Sequence, residues 1–429
     1  MAAAEPSVYF HIGLHKTGTT YVQNVLRANR QKLRDQQVLY PGGEGFPVQV
    51  FAVWDLLGRR PKGSSDARIP GAWQAMVDAT LAAGLPTTLI SDEHLSLAAV
   101  KQVRAAANAF PEHEAHVIVT ARDIGRILVS AWQEEVKNRG SWTWDEFSSS
   151  VQDTAKAALA PARGFWLRQD LPAILETWES VVPKERIHVV TVPPSGSSPD
   201  LLMDRIGSVV GFNATRLNEP APWANETVGV AGTEVIRRLN DRLSELNQRQ
   251  YDRAMKLTVV RLLAERSEPV RLSLPEEDYS WVRDRGDQMI KAVQASGYDI
   301  VGDIAELESK PTDGRRPDDP SDAELLEAAL TALAGLSERF ATVWWARKEP
   351  DEEVGAASTA KASSGVRALV FRSQRAAAGL ADRNRFAGRA MEVYLRARAK
   401  TRQRSRRGGV VTRHGRAPDG AEQVSDGGE

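Results

Sequence analysis

The sequence predicts a three-layer α/β fold, with a central, mainly parallel sheet flanked by helices. Along its 429 residues, short apolar segments rich in β-branched residues alternate with longer segments of helical periodicity. Strands that alternate with helices form βαβ units, which build a parallel sheet covered on both faces. A glycine-rich segment, HIGLHKTGTT (11–20), separates the first predicted strand from the first predicted helix. That placement is typical of P-loop-containing nucleotide-binding folds.

The individual elements follow from apolar periodicity and from the turn residues between the periodic segments. Strands are predicted at 7–14, 86–91, 114–122 and 186–193. Helices are predicted at 19–36, 73–84, 97–110, 123–140 and 171–182, and the region 213–305 is predicted to be mostly helical. Binding pockets in such folds are shaped by loops, which we expect at 41–72, 140–170 and 216–230.

Composition divides the chain into four regions. We predict the α/β domain for residues 1–305 and a linker rich in Pro, Gly and Asp for 306–322. Residues 323–353 have the periodicity of a C-terminal helix. In 354–429 arginine is dense over a long stretch, which predicts a basic, partly disordered tail. Such a tail could contact an anionic membrane surface or a polyanion.

The composition also excludes several classes of protein. The chain has no cysteine, so disulfides, thiolate metal sites and a cysteine nucleophile are excluded. Its formal net charge is zero, and we expect no specific nucleic acid binding. The beginning of the chain lacks a basic region followed by an apolar run, and no apolar stretch approaches membrane-spanning length. We therefore expect a cytoplasmic protein, peripheral to a membrane at most, and no metal site.

The glycine-rich segment has the features of a phosphate-binding loop. Free backbone N–H groups and the positive end of a helix dipole attract phosphate at a strand–loop–helix junction. Gly13 and Gly18 would let the backbone approach the ligand, and Lys16 would supply a positive charge. A Walker A loop has its lysine directly after the second glycine, where this chain has Thr19.

A second segment, VIVTARDIGRILVSAW, predicts another phosphate contact. Arg122 ends a predicted strand, and Ser130 follows eight residues later on the adjoining helix. A guanidinium at the strand end and a hydroxyl on the helix could converge on one phosphate group.

Both segments resemble the signatures of sulfotransferases that use 3′-phosphoadenosine 5′-phosphosulfate (PAPS). HKTGTTY is similar to the family's 5′-phosphosulfate loop, commonly Pro-Lys-Ser-Gly-Thr-Thr-Trp. The matched positions are Lys16, Gly18, Thr19 and Thr20. The departures are His15 for proline, Thr17 for serine and Tyr21 for tryptophan. Arg122 and Ser130 are similar in spacing to the family's 3′-phosphate signature.

The resemblance implies a sulfotransferase that moves a sulfuryl group from PAPS to a hydroxyl or amine acceptor, releasing adenosine 3′,5′-bisphosphate without a metal ion. A carbohydrate, a lipid-linked molecule or a small molecule could be the acceptor. The residues implied for PAPS binding are His15, Lys16, Thr17, Gly18, Thr19, Thr20, Arg122 and Ser130.

Three residues are candidates for catalysis. Lys16 would neutralise charge on the leaving phosphate oxygen. A general base must accept the proton of the acceptor, and TLISDEHLS (88–96) offers two neighbours at a strand end. The catalytic base of cytosolic sulfotransferases is a histidine, which His94 resembles in position. The base of heparan-type enzymes is a glutamate, which Glu93 resembles. Both remain candidates, and Glu93 is preferred.

Two other functions are compatible with the same loop. A P-loop kinase could use TTLISD (87–92) as its Walker B strand, with Asp92 holding Mg²⁺. The chain could also be a non-catalytic nucleotide-binding relative.

Overall fold

The computed structural model describes residues 5–60, 66–198, 200–220, 227–265 and 270–352, with side chains described up to 343. The chain divides into two compact units, Met1–Arg339 and Phe340–Glu429. In the second unit only the helical stretch 340–352 is described, so the predicted tail at 354–429 lies outside the described residues. Within the described part, no helix combines the length and the apolar character that crossing a membrane requires.

Six parallel strands form the central sheet. They are β1 (Ser7–His11), β2 (Val38–Leu39), β3 (Thr87–Ser91), β4 (Glu114–Ala121), β5 (Ile187–Thr191) and β6 (Asp299–Val301). Their order across the sheet is β2-β3-β1-β4-β5-β6, and each neighbouring pair is parallel. The fold is therefore the three-layer α/β fold that the sequence predicts.

Helices connect the strands and cover the sheet. They are α1 (Thr19–Ala28), α2 (Arg30–Arg34), α3 (Gln49–Leu57), α4 (Ala72–Ala83), α5 (Val100–Asn108), α6 (Ile124–Lys137), α7 (Trp144–Gln152), α8 (Ala160–Gln169), α9 (Leu171–Glu179), α10 (Leu201–Val210), α11 (Gly229–Arg242), α12 (Gln248–Tyr251), α13 (Val260–Ala264), α14 (Tyr279–Ser296) and α15 (Asp322–Glu352). A π-helical stretch, Asp252–Val259, joins α12 to α13.

Both faces of the sheet are buried, as β4 shows. Successive side chains of a strand point to opposite faces. Val117 and Val119 belong to the larger apolar cluster, whereas Ile118 between them belongs to a second cluster. All three side chains are fully buried. The β-branched run that predicted this strand is thus explained by helices packed on both faces.

The structure corrects the prediction of one helix over 19–36. The helix ends at Ala28, and Asn29 separates α1 from α2. The Asn29 side-chain amide donates to the carbonyl of Val25, and its oxygen accepts the N–H of Glu219. The backbone N–H of Asn29 bonds the same carbonyl, and the side-chain bonds add to it, as short polar residues do at helix ends.

The segments predicted as loops at 41–72 and 140–170 are also partly helical. The first contains α3, and the second contains α7 and α8. Thr143 and Glu146 form a capping box at the start of α7, each side chain bonding the backbone of the other. This Thr-x-x-Glu pattern is a helix-start signal, so the sequence itself indicates the beginning of α7.

His11 joins the three central strands at the end of β1. Its ring nitrogens lie 2.7 Å from Ser91 Oγ of β3 and 3.3 Å from Thr120 Oγ1 of β4. The side chain is 1% exposed. Burial lowers its pKa from 6.5 to about 4, so His11 is a neutral core residue at physiological pH.

This burial predicts acid sensitivity. Between about pH 6.5 and pH 4 the unfolded chain binds a proton at His11 and the folded chain does not, so the free energy of unfolding falls as the pH falls. The loss attributable to His11 is on the order of 3 kcal/mol. Urea unfolding at pH 7 and pH 4.5 measures the decrease in the free energy of unfolding between the two pH values. This decrease should be smaller in His11→Asn than in the wild type. An equal loss in both proteins would show that His11 does not cause it.

Candidate active site

The central position of β1 brings three functional segments together. β1 lies between β3 and β4, although β2 and β3 follow it in the chain. The strand order therefore reverses beside β1, and ligands of open α/β sheets bind at the carboxyl ends of the strands at such a point. The segment 12–18, the segment 92–94 and Arg122 follow directly after these three strands.

The segment after β1 forms a loop whose N–H groups are available to a ligand. Gly13 and Gly18 have φ angles of 66° and 85°. A Cβ atom on Gly13 would lie 2.6 Å from Thr19 Cγ2, so a larger residue would displace the start of α1. Among the described residues, the backbone N–H groups of 16–20 donate no hydrogen bond, and the first helical bond is that of Val22 to Gly18. Unpaired N–H groups at the start of a helix are the geometry with which proteins bind anions.

The threonine hydroxyls of the loop have different roles. Thr17 is fully buried, and its hydroxyl donates to the carbonyl of Leu14 at 2.5 Å and lies 2.7 Å from Thr120 Oγ1. Its side chain therefore fixes the loop to β4, which leaves its N–H group as the candidate ligand contact. Thr19 is buried and Thr20 is exposed.

Lys16 is held by a carboxylate from a neighbouring helix. Its backbone is left-handed, with φ 68°, which is uncommon for a residue other than glycine. Its Nζ atom lies 2.7 Å from Glu134 Oε2 of α6. Burial raises the pKa of Glu134, but the charge and hydrogen bond of Lys16 outweigh burial and leave the pKa below its ordinary value. Glu134 therefore keeps the ammonium group of Lys16 in place.

Arg122 and Ser130 line one cavity of about 490 Å³, which we call the Arg122 cavity. Arg122 Nη1 donates to the carbonyl oxygen of Lys16 at 3.3 Å, so the arginine touches the loop. Its Nε atom is buried without a hydrogen-bond partner among the described residues. Burial, assisted by repulsion from Arg126, lowers the pKa of Arg122 to about 10. The side chain is thus a half-buried cation with an unused donor.

Glu93 and His94 line a second cavity of about 670 Å³ together with Lys16, which we call the Lys16 cavity. Asp92 Oδ1 accepts the backbone N–H of His94 at 2.9 Å and lies 2.7 Å from its Nδ1. Glu93 Oε2 accepts a hydrogen bond from Gln23 Nε2 at 2.8 Å. Both candidate side chains are therefore held by neighbours at the edge of the cavity.

The environments of His94 and His15 shift their pKa values in opposite directions. Burial lowers the pKa of His94, but the hydrogen bond and charge of Asp92, with the charge of Glu93, outweigh it and raise the pKa above 6.5. For His15, burial and the nearby His94 lower the pKa to about 3. The two rings meet edge to face, 5.6 Å apart. His15 is neutral, and its Nε2 is buried without a hydrogen-bond partner among the described residues.

Several lining residues have no motif that could reveal them in the sequence. Arg168 of α8, with Gln248, Asp252 and Lys256 around the π-helical stretch, line the Lys16 cavity. Arg271 and Lys310 line the Arg122 cavity. They come from segments far apart in the chain, so only the fold brings them to the site. No group of three metal-binding side chains is found in the described ranges.

Comparison with known proteins gives little further information. No protein-family profile and no curated protein matches the chain. Among solved structures, the chain is similar to a sulfotransferase from Alicyclobacillus acidocaldarius, with 13% identity and a TM-score of 0.33. That similarity covers 58% of this chain and 99% of the other chain. A similarity this low supports no conclusion about activity.

Proposed function

We propose that the protein transfers a sulfuryl group from PAPS to a hydroxyl or amine acceptor. The observation that carries this proposal is the contact between Arg122 and the loop after β1. One half-buried guanidinium bonds the carbonyl oxygen of Lys16 and shares a cavity with Ser130. The two proposed phosphate contacts are therefore neighbours, as the binding of a nucleotide with phosphates at two positions requires.

The residues present fit such a nucleotide. The unpaired N–H groups of 16–20 and the charge of Lys16 suit the 5′-phosphosulfate end. The unpaired Nε of Arg122 is a donor that lacks a partner, and an anionic oxygen would satisfy it. Ser130 lines the same cavity and offers a hydroxyl to the 3′-phosphate.

The proposed reaction is an in-line displacement at sulfur. The acceptor oxygen or nitrogen forms a bond to sulfur while the bond between sulfur and the 5′-phosphate oxygen breaks. Glu93 accepts the proton that the acceptor loses. Lys16 stabilises the negative charge on the leaving phosphate oxygen. The products are the sulfated acceptor and adenosine 3′,5′-bisphosphate.

His94 has a separate role in this scheme. Because Asp92 and Glu93 raise its pKa, His94 carries a positive charge over more of the neutral range than a free histidine. A protonated imidazole cannot accept a proton from the acceptor. We therefore propose that His94 stabilises charge on the transferring group, while Glu93 is the base.

Nucleotide binding without Mg²⁺ tests the two phosphate positions. We expect adenosine 3′,5′-bisphosphate to bind about 10- to 100-fold more tightly than adenosine 5′-phosphate, because only the former engages Arg122. Arg122→Gln should abolish most of this difference and Ser130→Ala part of it, as measured by calorimetry. Arg104→Gln, an exposed arginine on α5, is the matched control.

Three outcomes would contradict the proposal. The wild type could bind the two nucleotides equally. Alternatively, the Arg122→Gln variant could still bind adenosine 3′,5′-bisphosphate more tightly than adenosine 5′-phosphate. It could also bind only ATP together with Mg²⁺, measured as a rise in melting temperature. That last result would favour the kinase alternative.

A further inference from the structure

A third cavity lies beside the candidate base and has a different chemical character. It has a volume of about 360 Å³, and we call it the Arg30 cavity. Arg27 of α1 and Arg30 of α2 line it, together with Tyr40, the loop glycines Gly42 and Gly43, and the end of β3. None of the functional assignments above uses these two arginines.

The two guanidinium groups have no acidic partner. Neither Arg27 nor Arg30 forms an ion pair with a described residue. Arg27 Nη1 bonds the side-chain oxygen of Asn24 at 2.7 Å, and Arg30 Nη1 bonds the carbonyl of Arg27 at 3.4 Å. Arg30 Nε is buried without a hydrogen-bond partner among the described residues. Both side chains therefore keep donors and charge for a ligand.

The surrounding backbone is shaped to hold Arg30 in this position. Its guanidinium carbon lies 5.6 Å from the centre of the Tyr40 ring, within the range of a cation–π contact. Gly42 has a φ angle of 141°, and a Cβ atom there would collide with Arg30 Nη2. Burial lowers the pKa of Arg30, and the charge of Arg27 lowers it further. An anion bound here would offset the repulsion that Arg27 exerts on Arg30.

Among the described lining residues, the one acidic side chain is already partnered. Asp92 lines the cavity, but its Oδ1 is bonded to His94, whose pKa is raised by that contact and by Glu93. Burial also raises the pKa of Tyr40 to about 12, so Tyr40 contributes a neutral phenol. The positive charge of Arg27 and Arg30 therefore dominates the cavity.

A single hydrogen bond connects this cavity to the candidate base. Gln23 lines the Arg30 cavity, and its Nε2 donates to Glu93 Oε2 of the Lys16 cavity at 2.8 Å. Ser91 and Asp92, which precede Glu93 in the chain, also line the Arg30 cavity. Gln23 and the chain segment leading to Glu93 therefore place the Arg30 cavity next to the candidate base.

We infer that the Arg30 cavity binds an anionic group of the acceptor, a carboxylate, phosphate or sulfate, through Arg27 and Arg30. This inference rests on the proposed function, because it assigns the acceptor class of the same reaction: a hydroxyl or amine compound that already carries a negative charge. Guanidinium groups suit this role because they bind planar carboxylates and phosphates through paired N–H donors.

Matched acceptor pairs test the inference by direct binding. Methyl glucuronide and methyl glucoside differ by one carboxylate, and glucose 6-phosphate and glucose differ by one phosphate. We expect the acid of at least one pair to bind about 10- to 100-fold more tightly than its neutral partner. Arg27→Gln and Arg30→Gln should each remove most of that preference, whereas Arg34→Gln, an exposed arginine on α2, should keep it.

The controls separate this inference from the function it extends. Affinity for adenosine 3′,5′-bisphosphate should be unchanged in all three variants, which also shows that each variant is folded. The inference is overturned if neither acid is preferred, or if the preference survives both substitutions. Equal binding of inorganic phosphate at the same arginines would overturn the assignment to an acceptor. Acid binding without bisphosphate binding in the wild type would leave the anion site standing and remove the sulfotransferase proposal.

Discussion

Replacing Lys16 with methionine is expected to slow sulfuryl transfer by about 100- to 1,000-fold, the usual effect of removing one group that stabilises transition-state charge. Methionine keeps the length of the side chain and removes the ammonium group. Lys16 lines the Lys16 cavity, and its own backbone N–H is among the unpaired groups of the loop. The measurement is the single-turnover rate of transfer from PAPS to an acceptor found by screening for sulfated products.

The same variant should remain folded. The Lys16–Glu134 pair is 31% and 41% exposed, and an ion pair this open to water contributes about 1 kcal/mol or less to stability. The melting temperature of Lys16→Met should therefore stay close to that of the wild type. Lys101→Met, on the exposed face of α5, is the matched control for the rate. A wild-type rate in Lys16→Met would remove Lys16 from the mechanism and leave only a binding loop.

The sequence predicted the parts of the fold that depend on local patterns. β1, β3, β4 and β5 are apolar segments bounded by turns, and the structure has each of them. The two strands that were not predicted, β2 and β6, have two and three residues. Segments this short have no measurable periodicity, and they are strands because each pairs with the neighbouring strand at an edge of the sheet.

The candidate site was predicted as far as it depends on residues near strand ends. The loop at 13–20, the pair Glu93 and His94, and Arg122 each follow a predicted strand, so a parallel sheet necessarily brings them to one edge. Their roles in binding and catalysis remain predictions. The sequence could not show that Glu134 pairs with Lys16 or that Asp92 pairs with His94, because such contacts depend on side-chain geometry across the fold.

Glu93→Gln is expected to slow transfer by about 100- to 10,000-fold, the range for loss of a general base. Glutamine keeps the shape of the side chain and a carbonyl oxygen that can still accept the hydrogen bond of Gln23. Affinity for adenosine 3′,5′-bisphosphate should therefore change little. Glu112→Gln, an exposed acid in the turn before β4, is the matched control.

The pH dependence of transfer separates the roles of Glu93 and His94 by its sign. If His94 acts as a cation, the wild-type rate falls as the pH rises through its raised pKa, above 6.5, and His94→Gln lacks this decrease. If His94 were the base, the rate would instead rise with pH over the same range, and Glu93→Gln would remain active. A rate that rises with pH in the wild type but not in His94→Gln would thus assign the proton transfer to His94, paired with Asp92. Glu93 would then only raise the pKa of the histidine.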